Sequence, residues 1–242
     1  MSPSATVTWH DVECGGYAAD LNAWERLAAG SGGPVLELGC GSGRVCLHLA
    51  RLGYEVCGVD VDPELLAAVD ERAAAEELPV QTVRADAREL DLGREFGLAV
   101  AAMQFIQMIG DETARGKVLA RALAHLRPGG RLGAAILNGP PEDLQGAPAP
   151  LPDVREVEGR VYSSLPVDVV TEGSRLELHR LRQEVAPNGD MSESEHAESL
   201  WLVDADALQR EGEAVGLRPA NARPVPAMDG YVGSVIVVLE RP

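Results

Sequence analysis

Long apolar runs are missing from this chain. The strongest, Leu98–Met103, Leu132–Leu137 and Val235–Leu239, fall far short of the roughly 20 residues a membrane-spanning helix needs, so no membrane partner is expected. Residues 1–16 are polar and lack the basic-then-apolar pattern of a secretory leader. Positive charge is scarce too. Lys117 is the only lysine, and 21 Lys and Arg stand against 38 Asp and Glu, a net charge of −17. Phosphate polymers are held by basic residues, so nucleic acid is not expected as a partner. Cysteine is rare and unpatterned. Positions 14, 40, 46 and 57 form no CxxC pair, which speaks against a zinc site, or any metal, and against a disulfide framework. Reduced thiols in a cytoplasm are the expectation.

What is present is the make-up of a folded chain. Hydrophobic residues are 45% and charged residues 24% of 242, enough for one large domain or two small ones. Up to about residue 138 the pattern alternates helix and strand. Tyr17–Ala29 is helical by the spacing of Leu21, Trp24 and Leu27. Short strands are expected at Val35–Leu38, Tyr54–Val59, Val80–Arg84, Leu98–Met103 and Arg131–Leu137. Helices are expected from Gly43 to Leu52, from Asp62-Pro63 to about Glu77, and from a Thr113 cap to before Pro128. Such alternation predicts a parallel sheet covered on both faces.

The rhythm then changes. Asn138 to Pro152 is rich in proline and glycine and reads as a loop. Arg160–Val170, Arg175–Val185 and Met191–Val203 read as a three-stranded antiparallel insert, turned near Glu172-Gly173 and at Asn188-Gly189. Asp204 caps a helix ending near Gly216, and Tyr231–Leu239 is the last strand.

The decisive segment is Val35-Leu-Glu37-Leu-Gly39-Cys40-Gly41-Ser-Gly43-Arg44. An apolar strand runs through three alternate glycines into a helix. Glycine permits the tight turn and lets a ligand touch backbone, and the helix start offers free N–H groups. A dinucleotide site wants its third glycine one place later, where Arg44 stands. Glu37 and the G-x-G-x-G spacing resemble motif I of the class I S-adenosylmethionine-dependent methyltransferases, small-molecule type. The resemblance covers about residues 17–137 and returns at 204–216 and 231–239. It implies an α/β Rossmann-like, doubly wound, mostly parallel seven-stranded sheet of order 3-2-1-4-5-7-6 with a small antiparallel insert. The whole chain, 1–242, would be one domain, with its core at about 17–138 and 204–242 and a cap at about 150–203.

The resemblance also implies site residues and a cofactor, S-adenosylmethionine. Glu37, Gly39, Cys40, Gly41 and Gly43 would cradle it. Asp60, with Val61, would accept both ribose hydroxyls, and Asp86, with Ala87, would meet the adenine amino group. Met103 and Gln104, at the end of the fourth strand, would line its methionine end. Tyr17 either reaches over the cofactor or plugs the core. Phe105, Gln107 and Met108 would face a small-molecule acceptor, and Tyr162 and Trp201 of the insert either stack on it or pack the cap. No N-P-P-Y-like motif follows the fourth strand, which counts against nucleobase or protein amide acceptors. Read as residues alone, Asp60 and Asp86 also serve as a helix cap and a turn acid, and Cys40 is either a reactive thiol or a small turn filler. His179 and His196 are either bases or solvated side chains. The reaction needs only alignment of an acceptor lone pair behind an electrophilic methyl, so no catalytic residue is assigned. Two rivals stand beside methyl transfer to nitrogen or oxygen: a cofactor-binding scaffold or sensor, and a nucleotide-dependent oxidoreductase.

Overall fold

The computed structural model describes residues 3–137, 151–228 and 231–242. The chain opens with α1 (Ala5–Cys14) and α2 (Leu21–Ser31), followed by β1 (Val35–Leu38), α3 (Arg44–Arg51), β2 (Val56–Asp60), α4 (Pro63–Ala75) and β3 (Val80–Arg84). Then come β4 (Phe96–Ala101), α5 (Phe105–Met108), α6 (Glu112–His125) and β5 (Leu126–Ile136). The insert holds β6 (Asp153–Val157), β7 (Arg160–Glu172), β8 (Arg175–Val185) and β9 (Met191–Trp201). The chain closes with α7 (Ala205–Val215), β10 (Arg218–Pro219), β11 (Arg223–Val225) and β12 (Ser234–Glu240).

The main sheet runs β10-β12-β5-β4-β1-β2-β3, with β1 to β5 parallel and β12 antiparallel to β5. This is the expected seven-strand order, with β12 in the seventh place and the two-residue β10 in the sixth. β11 pairs with β12 as an eighth strand that was not anticipated. The centre is buried on both faces, so β1 and β4 are apolar without alternation apart from Glu37. Leu98 and Val100 of β4 pack with Trp24, Val45 and Val69 on one face. Ala99 and Ala101 pack with Val118, Leu119 and Leu208 on the other. Each such leucine or valine is worth about 1.5–3 kcal/mol of burial.

Helix starts follow side-chain chemistry. Asp62 accepts from the Glu64 and Leu65 amides at 2.8 and 3.3 Å, with Pro63 in the first turn. Asp204 caps α7 through the Ala207 amide at 2.7 Å. The α6 cap is Asp111, not Thr113: its carboxylate takes the Ala114 amide at 2.9 Å. The helix expected from Tyr17 starts at Leu21, and Tyr17 precedes it.

Two further elements depart from the sequence reading. α1 was not anticipated, because its buried face carries Thr8, Asp11 and Glu13 rather than an apolar stripe. The insert has four strands rather than three. Its extra strand, Asp153-Val-Arg-Glu-Val157, is too charged to read as one, and it joins β7 through Glu158-Gly159, both at positive φ as a type I′ turn requires. At Asn188-Gly189 only the glycine takes positive φ. The loop there closes with Gly189 donating to the Ala186 carbonyl, a type I turn with a glycine bulge. The proline-rich stretch from 138 lies outside the described residues up to 150. The insert sheet packs on the core through α1, which lies against β6 and β7, and through α5, which lies against β9.

Candidate active site

β1 feeds a turn in which Gly39, Gly41 and Gly43 all take left-handed φ, +67°, +53° and +93°. The Gly39 and Cys40 amides donate to the Val59 carbonyl at 2.8 and 3.0 Å, which ties the turn to β2. At the end of β2 the two oxygens of Asp60 divide their work. Oδ2 accepts the Gly41 amide at 2.9 Å and Oδ1 accepts the Asp62 amide at 3.0 Å. Each oxygen keeps a further lone pair. Asp60 is therefore a brace of the glycine turn as well as a ribose candidate, and both arise from its place at a strand end.

A cavity of about 300 Å³ opens beside it, lined among others by Gly39, Asp60, Val61, Asp86, Ala87 and Phe105. In open parallel sheets this crevice, beyond the carboxyl ends of the strands, is where ligands bind. Asp86 is held by Arg88 through contacts of 2.5 to 3.0 Å, and that hydrogen-bonded guanidinium keeps its carboxyl below the ordinary range. Phe105, expected to face an acceptor, lines this cavity instead. Its ring lies so close to Gly39 that a Cβ there would fall 2.1 Å from Cδ2. Met108 also lines it. Met103 and Gln104 follow β4 with φ of +44° and +58°, strained for residues with side chains, but neither lines the cavity.

Gln107 departs most clearly from its expected place. It is fully buried, its Nε2 donates to the Leu137 carbonyl at 3.0 Å, and its Oε1 accepts the Leu137 amide at 2.8 Å. The amide splices α5 to the end of β5 and presents nothing to an acceptor. Gln107→Leu is expected to leave two buried backbone groups unpaired and to cost about 2–4 kcal/mol, read as a lowered thermal midpoint. A midpoint equal to the parent's would contradict this.

Glu37 is buried, and burial pushes its carboxyl up to about 8 from 4.5. Its Oε2 has no hydrogen-bond partner. An acid that stays protonated when folded, while the unfolded chain ionises, loses stability as pH rises from about 4.5 to about 8. Glu37→Gln is therefore expected to melt above the parent at about pH 8 and level with it at about pH 4. Equal melting at both would show that the carboxyl is not held neutral. Cys40 is buried against Gly58 and its thiol is pushed up by burial, so it fills the turn rather than reacting. Arg44, in the place of a dinucleotide site's third glycine, is locked to Asp20 at 2.6 and 2.8 Å and to the Tyr17 carbonyl. Tyr17 is buried, with its ring 5.0 Å from that of Tyr231 and the Arg44 guanidinium over its face; it does not line the cavity beside Asp60.

The insert lies against α1 and α5 and turns polar groups toward α1. Cross-strand register puts Tyr162, Ser164, Arg180, Arg182, His196 and Glu198 on one face. Trp201 and His179 have the opposite parity, and His179 lies half-exposed beside Glu177. Tyr162 pairs with Glu184 and Trp201 with Arg175, nine positions apart along β8, or about 30 Å at 3.4 Å per residue, so they do not share one acceptor. Tyr162 stacks edge-on against Trp9. Glu13 of α1 accepts Arg182 at 2.7 and 2.8 Å and the Ser164 hydroxyl at 2.7 Å. Burial acts to raise its pKa, but these partners outweigh it and hold it low. Asp153 accepts Arg180 at 3.2 Å and the Tyr231 hydroxyl at 3.1 Å. Ligating atoms of Glu13, His196 and Glu198 lie within 4.8 Å of one another, a spacing that suits a metal, yet both Glu13 oxygens already hold Arg182.

His10, Glu13 and Glu198 were missed in the sequence. Arg182, the partner of Glu13, stands 169 positions away, and no local pattern marks the three residues.

Residues 35–130 match the family described as a methyltransferase domain. The matched stretch is 96 of the 242 residues, so it is this part of the chain that resembles methyltransferase domains. A ubiquinone biosynthesis O-methyltransferase from Nitrobacter winogradskyi is 32% identical over 128 residues, 53% of this chain and 46% of that protein. The chain spans about half the length of the curated relatives it matches. Among solved structures, an amino pentose methyltransferase from Micromonospora echinaspora has a TM-score of 0.77 at 19% identity, over 100% of this chain and 99% of its own. A sugar N-methyltransferase from Streptoalloteichus has a TM-score of 0.78 at 20% identity, over 100% and 94%. The likeness to these two is one of fold, and it spans the insert as well as the core.

Proposed function

We propose that this chain is a methyltransferase that moves the methyl group of S-adenosylmethionine onto the amine nitrogen of a small polar molecule, and that it does so in the cytoplasm without a nucleic-acid partner. The observation that carries this reading is the left-handed glycine turn opening on a cavity of about 300 Å³ with the Asp60 carboxylate at its edge. The residues present fit the cofactor. Asp60 keeps lone pairs for the ribose diol, and Asp86 lines the same cavity and would meet the adenine edge. The bound cofactor supplies an electrophilic methyl; the chain has only to hold an acceptor lone pair in line behind it.

The insert favours nitrogen. Of the carboxylates at its inward face, Glu13, Asp153 and Glu184 carry arginine partners, whereas Glu198 carries none among the described residues. One uncompensated negative charge attracts an ammonium and repels a phenolate. His196 beside Glu198 is suited to take the ammonium proton before transfer. The two sugar-type methyltransferases of like fold add support for an amino sugar. The test is label transfer from methyl-labelled S-adenosylmethionine to panels of amino sugars, other amines and phenols. Labelled amine is the expected product. Labelled phenol alone would move the acceptor to oxygen, and binding without product across all panels would favour the sensor reading.

A further inference from the structure

His10 reaches from α1 to the glycine turn. A Cβ on Gly41 would fall 2.3 Å from its Nε2 and 2.4 Å from its Cε1, so this edge of the imidazole takes the space that the missing side chain leaves against the turn. The other edge is held. Nδ1 is 3.0 Å from Ser42 Oγ, and Ser42 Oγ is 2.6 Å from Asp11 Oδ1. Asp11 is anchored in turn by Arg72 of α4 at 2.5 Å and Arg155 of β6 at 3.4 Å. A hydroxyl has one proton, and a carboxylate only accepts. The Ser42 proton therefore goes to Asp11, Oγ offers a lone pair to the imidazole, and the His10 proton sits on Nδ1. Nε2 is left as a bare acceptor beside Gly41, whose own amide is held by Asp60.

We propose that His10 is a charge-reading cofactor contact: with its proton fixed on Nδ1 by the Ser42–Asp11 relay, Nε2 accepts a hydrogen bond from the bound cofactor, and a second proton on Nε2 sets a cation against the sulfonium. This rests on the S-adenosylmethionine reading. The groups that face His10 are Asp11 and Glu13 on its own helix, Ser42 in the turn, Asp60 at the end of β2 and Glu198 on β9. Burial lowers its pKa from 6.5, the four carboxylates raise it, and burial wins. The imidazole is neutral at neutral pH and charges only in acid. S-adenosylmethionine carries one net positive charge there, and its demethylated product carries none.

The test is calorimetric titration of the parent and of His10→Gln with both compounds at about pH 8 and about pH 5. Glutamine accepts a hydrogen bond but never charges. Every other group is the same in both proteins, so the difference between the two proteins isolates His10. The affinity ratio of S-adenosylmethionine to product is expected to fall about tenfold more in the parent than in the variant on acidification. Equal falls in the two proteins would overturn the proposal while leaving the cofactor reading intact. Absence of binding by either compound to the parent would overturn both. Ser42→Ala provides a second variant: loss of the relay is expected to change the pH at which the ratio falls, and an unchanged profile would count against the relay.

Discussion

Asp60→Ala is expected to weaken S-adenosylmethionine binding by about 10²–10³-fold. Two hydrogen bonds from ribose hydroxyls to one carboxylate are worth about 1.5–3 kcal/mol each, and 1.4 kcal/mol is tenfold. The structure adds a second effect that strand-end position alone does not reveal. The same carboxylate accepts the Gly41 and Asp62 amides, so alanine also loosens the turn. A drop of about 1–3 kcal/mol in stability should accompany the loss of binding. Asp60→Asn, which keeps one acceptor oxygen, should fall between parent and alanine on both measures. Calorimetry with parallel thermal unfolding reads both. Unchanged affinity in Asp60→Ala would place the ribose elsewhere.

Gly39→Ala is expected to abolish measurable binding. Gly39 sits at φ +67°, where a Cβ costs about 1–2 kcal/mol, and that Cβ would meet the Phe105 ring at 2.1 Å. Either the ring leaves the cavity it lines or the turn opens. Both outcomes remove the surface on which a cofactor would lie. Gly53 provides the control. It has φ +88° with nothing within 4 Å, so Gly53→Ala should cost backbone strain alone and leave binding untouched. A Gly39→Ala protein that binds like the parent would show that the turn is not a cofactor surface. The double variant with Phe105→Ala removes the clash but not the strain, and should regain stability before it regains affinity.

The sheet was legible because its cause is local. Buried parallel strands are continuous apolar runs, and Leu98–Met103 and Val35–Leu38 read so at once. The glycine turn and the acids that end β2 and β3 were legible because backbone geometry and strand ends constrain residue type at fixed spacing. The packing of the insert on α1 was not. α1 buries Asp11 and Glu13 only because Arg72, Arg155 and Arg182 meet them from distant strands and helices, and a polar buried face has no periodic signature. Gln107 showed the converse. A glutamine in an apolar stretch is rightly singled out as needing partners, but those partners proved to be the Leu137 backbone rather than a ligand. Tyr162 and Trp201 failed to converge because strand pairing sets them opposite Glu184 and Arg175 of β8, a register that the turns at Glu172-Gly173 and Asn188-Gly189 locate but do not by themselves specify.

The most direct measurement is titration of the purified chain with S-adenosylhomocysteine, followed by the same titration of Asp60→Ala. One molecule bound per chain with a dissociation constant in about the micromolar range, and little or no heat from the variant, is the predicted result. No heat from the parent up to about 1 mM, or equal binding by parent and variant, would contradict the account.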